Sequence, residues 1–118
     1  MEQEFNQTVR TFVANVRELV GDPEKWTQGA LARDAQGRKV ITEEGSACRF
    51  CILGAMYHVQ HEMQMDHSIT SFLLEKLTGT NVRPALAMMG INDAFFSHDH
   101  FISWFDQKVE QRVTCKLT

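Results

Sequence analysis

Ala47-Cys48-Arg49-Phe50-Cys51-Ile52-Leu53-Gly54-Ala55-Met56-Tyr57-His58-Val59 is the stretch on which the reading of this fold turns. At helical spacing, Ala47, Phe50, Cys51, Gly54, Ala55 and His58 share one face, while Ile52, Leu53, Met56 and Val59 cover the other. A helix that is apolar on both sides belongs inside a protein. The pattern therefore predicts a central buried helix over 47–63, capped by Ser46, with Glu43 and Glu44 near its positive end. Gly54 costs about 1 kcal/mol of helix propensity relative to Ala. The Gly54-Ala55 pair lets another backbone approach closely, which is a reason to keep it.

Upstream, Phe5, Val9, Phe12, Val13, Val16, Leu19 and Val20 form the stripe of an amphipathic helix over about 3–20, stopped by Gly21 and the turn at Asp22-Pro23. Between the two helices, Asp34-Ala35-Gln36-Gly37 is a turn signal and Arg38–Thr42 a returning strand, so a hairpin is predicted over roughly 26–42. A lone hairpin is marginal in water, and Trp26 is its natural anchor on a helix. Downstream, Ile69, Phe72, Leu73 and Leu77 form a helical stripe, capped by Asp66 or Ser68 and stopped by Gly79. Val82, Ala85, Leu86 and Met89 predict a short helix with Pro84 in its first turn and Gly90 at its end. Ile91–Phe96 then reads as a loop. Ser97 caps a last helix that buries Phe101, Ile102, Phe105, Val109 and Val113. The expected class is α+β and predominantly helical, with about five helices around a central one and one short hairpin. One globular domain over residues 1–118 is expected.

Composition narrows the function classes. Of 118 residues, 43% are hydrophobic and 23% charged, an ordinary globular balance. The formal net charge is −3, and no basic run exceeds Arg38-Lys39, which argues against a nucleic-acid partner. No apolar run is long enough to span a bilayer, and the start Met1-Glu2-Gln3-Glu4 does not read as a secretory signal. Cys48, Cys51 and Cys115 are an odd number, read as reduced thiols in the cytoplasm. Phosphate-binding loops, nucleophile elbows and dinucleotide fingerprints are missing from the sequence, so no cofactor is expected.

Three groups of residues could carry function. Cys51, early in its predicted helix, could be a nucleophile, with His98 or His100 as base and Asn92 or Asp93 orienting the imidazole. The same Cys51 could instead be a small core hydrophobe, and Asn92-Asp93 could simply order a loop. Cys48-x-x-Cys51 with His98-x-His100 offers four zinc-compatible donors. A predicted helix under the two cysteines, and a single residue between the histidines, both weigh against zinc. Finally, Trp26, Phe95, Phe96 and Trp104 are more aromatic surface than a polar connection needs, and exposed aromatics are what contact patches use.

Taken together, Trp26-x-Gln28-Gly29-Ala30, Ala32-x-Asp34-x-x-Gly37, Cys51-x-x-Gly54-Ala55 and Asn92-Asp93 before a Ser-capped helix resemble a family of small bacterial and phage proteins of unknown function. The resemblance runs in order over about residues 8–113 and implies the same α+β architecture, with no established activity. Its extension to a phage or mobile-element origin is an extrapolation. The first turn of the last helix departs from the pattern, reading His98-Asp99-His100 where polar or acidic residues are usual. The function expected from the sequence is a binding or regulatory role, exercised on a protein partner or by self-association. A cysteine-dependent hydrolase or transferase centred on Cys51 is the first alternative and a zinc-stabilised interaction domain the second.

Overall fold

The first helix, α1 (Glu2–Val20), turns Val9, Phe12, Val13, Val16 and Val20 inward, the spacing its sequence requires. It is described here from a computed structural model covering residues 2–117. The Gly21 N–H bonds to the Arg17 carbonyl at 2.8 Å, and the Asp22 carboxylate accepts from the Glu24 N–H, so the chain turns where the sequence placed a stop.

The hairpin is shorter than predicted and is joined by a third strand. Strands β1 (Ala32–Arg33), β2 (Lys39–Val40) and β3 (Arg49–Phe50) form an antiparallel sheet in the order β2-β1-β3. Ala32 pairs with Val40 on one side and Phe50 on the other. The β1–β2 turn is built by Asp34. Its carboxylate accepts from the backbone N–H of Gln36 and of Arg38 and from the Arg38 guanidinium, while Gly37 takes the positive φ of 83° that closes the turn. Those bonds, the Arg38 N–H foremost, hold the buried Asp34 carboxyl below its ordinary pKa. Trp26 lies outside the hairpin strands, in an isolated parallel bridge to Phe50.

The central helix, α2 (Ile52–Glu62), starts five residues later than predicted, and Cys51 rather than Ser46 is its N-cap. The reason is hydrogen-bond competition. The N–H groups of Cys48, Phe50 and Cys51 donate to the carbonyls of Arg33, Lys25 and Leu31, so this segment is used up as sheet before a helical turn can form. From Ile52 onward the expectation holds: Ile52, Leu53, Gly54, Ala55, Met56 and Val59 are all buried, and α2 packs against α1 and β3.

Helix α3 (Ser68–Thr78) buries Ile69, Leu73, Leu74 and Leu77. Asp66 accepts from the Ser68 N–H at its start, and Gly79 adopts a left-handed φ of 75° at its end. Helix α4 (Pro84–Ala94) runs through Gly90 and takes in Asn92 and Asp93, so the predicted loop at 91–96 is largely the last turn of this helix. Gly90 has no positive φ and does not act as a stop. Helix α5 (His98–Arg112) is capped by Ser97, whose hydroxyl accepts from the His100 N–H, and buries Phe101, Phe105 and Val109. A 3₁₀ turn (Thr114–Lys116) follows it. Both α3 and α4 pack on α2, giving a predominantly helical α+β fold around it. Among the described residues, no helix is long and apolar enough to cross a membrane.

Candidate functional site

Asn92 is fully buried on the inward side of α4 and makes every hydrogen bond its amide can make. Its Oδ1 accepts from the Trp26 indole N–H at 2.9 Å and from the Ile52 backbone N–H at 3.0 Å. Its Nδ2 donates to the Thr27 carbonyl and to Asp93 Oδ1, both at 3.1 Å. Gln28 closes the same network from the other side, donating through Nε2 to the carbonyls of Asn92 and Phe95, each at 2.9 Å. Asp93 Oδ1 also accepts from the N–H of Gly29, which sits at φ 80°.

This network satisfies two helix ends at once. A helix N-terminus leaves its first N–H groups without partners, and a C-terminus leaves its last carbonyls. Asn92 takes the Ile52 N–H, and Cys51 Sγ takes the Gly54 N–H at 3.3 Å, so the start of α2 is capped. Gln28 caps the end of α4. The Cys51-x-x-Gly54 spacing has the same origin. A Cβ on Gly54 would collide with the Leu31 carbonyl oxygen, so only glycine lets the 27–31 segment lie across the helix start. Trp26 completes the latch by stacking on Phe101 at 4.9 Å and meeting His98 edge-on at 5.5 Å.

The nucleophile arrangement expected from the sequence is not assembled. Cys51 is buried and its thiol is pushed up in pKa, first by loss of solvent and further by the Asp93 charge, against the helix N–H groups that pull it down. Such a thiol stays protonated at neutral pH. His98 donates through Nε2 to the Val20 carbonyl at 2.6 Å, tying α5 to the end of α1, and His100 is hydrogen-bonded through Nδ1 to Ser97. Among the described residues, no hydrogen bond joins Cys51 to either imidazole, and both Asn92 amide atoms are committed elsewhere. The four zinc-compatible donors are not gathered either: no group of three or more His, Cys, Asp or Glu among the described residues could hold a metal ion. Strand β3 lies between Cys48 and Cys51, so the pair is stretched over an extended segment, Cys48 exposed and Cys51 buried, instead of folding around an ion.

The aromatic group divides. Trp26, Phe95 and Trp104 are half-buried around Phe101, with Phe95 at 5.6 Å from Phe101 and 5.5 Å from Trp104. Phe96 alone of the four is fully outside, 95% exposed. Two of the apolar residues whose spacing predicts the fourth helix are exposed as well: Val82 and Leu86 are 71% and 60% exposed. The inward stripe of α4 is Met88 and Asn92, four residues apart. That spacing was present in the sequence, hidden because one of its members is polar. Clefts of about 560 Å³ beside Lys76 and Arg112, and about 420 Å³ beside Tyr57 and His61, are lined by none of the sequence-derived candidates.

Neither the curated proteins nor the solved structures hold a significant match to this chain. A family model does match, over residues 4–113, and the chain accordingly belongs to DUF6197, a family of unknown function.

Proposed function

We propose that this protein is a binding module that acts by protein–protein contact through the outward face of α4 and the adjoining Phe96. The observation that carries the reading is the exposure of Phe96 and of Leu86, the latter on a helix that buries only Met88 and Asn92, with Val82 exposed just before that helix. Burying a Phe or Leu side chain is worth about 1.5–3 kcal/mol, a gain the monomer forgoes at both positions and a partner can collect. Exposed aromatic anchors beside aliphatic side chains are the usual centre of a contact patch. The chemistry-bearing residues of the latch support the same reading from the other side, because their hydrogen bonds are already used to build the fold.

The test is affinity capture from cells that naturally contain the protein, comparing the wild type with a Leu86→Asp, Phe96→Asp double variant of unchanged far-UV circular dichroism. A partner retained by the wild type and lost by the double variant is the expected result. Identical retention by both proteins would overturn the reading.

A further inference from the structure

The turn that ends α3 and the end of α5 enclose a cleft of about 560 Å³ in which positive charge is in surplus. We propose that it binds a small hydrophilic phosphate ester, such as a sugar phosphate, with the phosphoryl group held by Arg112 and Lys116. The site is separate from the contact surface at Leu86 and Phe96 and does not depend on it. Three cations line it, each from a different element: Lys76 from the last turn of α3, Arg112 from the last turn of α5, and Lys116 from the 3₁₀ turn. A single carboxylate, Glu75, lines it with them. In a chain of net charge −3 this is a local reversal of sign.

Helix dipoles account for part of that charge. A helix C-terminus carries roughly half a negative charge, which cations in the last turn offset, so two helix ends and Glu75 set about −2 against the +3 of the cations. The rest is not met by ion pairing. The ion pairs among the described residues lie elsewhere, joining Arg17 to Asp106, Arg38 to Asp34 and His58 to Glu62. Arg112 uses one N–H on a long 3.4 Å bond to the Lys76 carbonyl, and the Lys76 ammonium sits 5.6 Å over the Phe72 ring. Neither contact neutralises a charge. Gly79, at φ 75°, gives the guanidinium room against the turn, since a Cβ there would lie 3.4 Å from Arg112 Nη1.

A guanidinium presents its remaining donors as a planar fork that matches two phosphoryl oxygens, and an ammonium takes the third. The other lining groups select the rest of the ligand. Thr80 Oγ1 accepts from the Val82 N–H and keeps its own O–H to donate. The Asn81 amide makes no hydrogen bond among the described residues, and Glu75 offers acceptors for hydroxyl groups. No lining side chain is apolar, so an organic part rich in hydroxyls fits and an aromatic one does not. The volume falls within the roughly 300–1,000 Å³ of small-molecule sites.

Nitrogen-15 NMR of the full chain in about 150 mM salt, titrated to about 10 mM ligand, tests the site. The probes are glycerol 3-phosphate, ribose 5-phosphate and glucose 6-phosphate, with inorganic phosphate and glucose as separated halves. Saturable shifts at the Gly79, Thr80, Asn81 and Arg112 amides are expected from at least one ester, about threefold or more tighter than from inorganic phosphate, and none from glucose. Lys116→Glu alters an exposed side chain and is expected to weaken ester binding about tenfold, as is Arg112→Gln with unchanged circular dichroism. Lys25→Glu makes the same charge change at an exposed position outside the cleft and is expected to leave the affinity within about twofold. The proposal is overturned if no ester gives saturable shifts at the cleft, or if none binds more tightly than inorganic phosphate. Equal weakening by Lys116→Glu and Lys25→Glu overturns it too, because net charge alone would then explain the binding.

Discussion

The two faces of α4 are a study in contrast. The inward face carries a polar residue, Asn92, at a fully buried position, and every atom of its amide is hydrogen-bonded. The outward face carries Leu86, with Val82 just before the helix and Phe96 just beyond it, all exposed. Polarity on this helix is thus arranged against the usual rule, and both departures have a physical reason. A buried amide is tolerable when it is saturated, and here it caps the start of α2 while gripping the segment that crosses it. Exposed apolar groups are costly unless something covers them, which is the basis for assigning this face to a partner. Residues that resemble chemistry build the scaffold, and residues that resemble core make the surface.

The largest effect that would break this contrast is Asn92→Ala. It strands the buried Ile52 N–H and the part-buried Trp26 N–H and Thr27 carbonyl, each costing up to about 1–3 kcal/mol. Urea denaturation is expected to show a loss of about 4 kcal/mol. A loss under about 1 kcal/mol would mean that water replaces the amide and that the latch is dispensable. Gly54→Ala comes next. Its Cβ meets backbone at the Leu31 carbonyl rather than a flexible side chain, so the crossing segment must shift, with an expected cost of about 2 kcal/mol by thermal or urea unfolding.

Cys51 sharpens the comparison through pH. Its folded-state pKa is raised above the ordinary thiol value of 9.0, first by burial. The protonated thiol is therefore favoured by folding, and its contribution is fully present below the unfolded pKa and lost as pH climbs through the higher folded one. In the native protein Cys51 is expected to resist alkylation at pH 7–8 while exposed Cys48 reacts. Rapid native alkylation of Cys51 at neutral pH would restore a reactive-thiol role. The smallest effect on stability belongs to the outward face. Leu86→Asp is expected to change unfolding free energy by no more than about 0.5 kcal/mol, because the side chain is already in solvent. A larger loss would place Leu86 in the fold rather than in a contact.

Much of this architecture was legible because its signals are local. The stripe of α1, the Asp34–Gly37 turn, the Gly79 stop and the Ser97 cap each depend on residues within a few positions of one another, and each appears where the sequence put it. The start of α2 was misread because an apolar run as short as 47–51 fits a strand as well as a helix. The inward face of α4 was not legible for a different reason. Its four apolar residues at helical spacing predicted a helix, but Asn92, one of the two residues it buries, looked like a loop residue.

What the amino-acid sequence determined alone was the class of the fold: helical periodicities, turn residues and the apolar weight of residues 52–59 follow from chain geometry over one or two turns. Tertiary structure decided where β3 yields to α2, which side of α4 turns inward, and whether Cys51, Asn92 and the histidines form a reactive group or a scaffold. Those outcomes depend on hydrogen bonds between residues 15 to 78 positions apart, such as Cys48 to Arg33, Ile52 to Asn92, Trp26 to Asn92 and His98 to Val20. No local pattern encodes a bond of that span, because its partners meet only once the helices have packed.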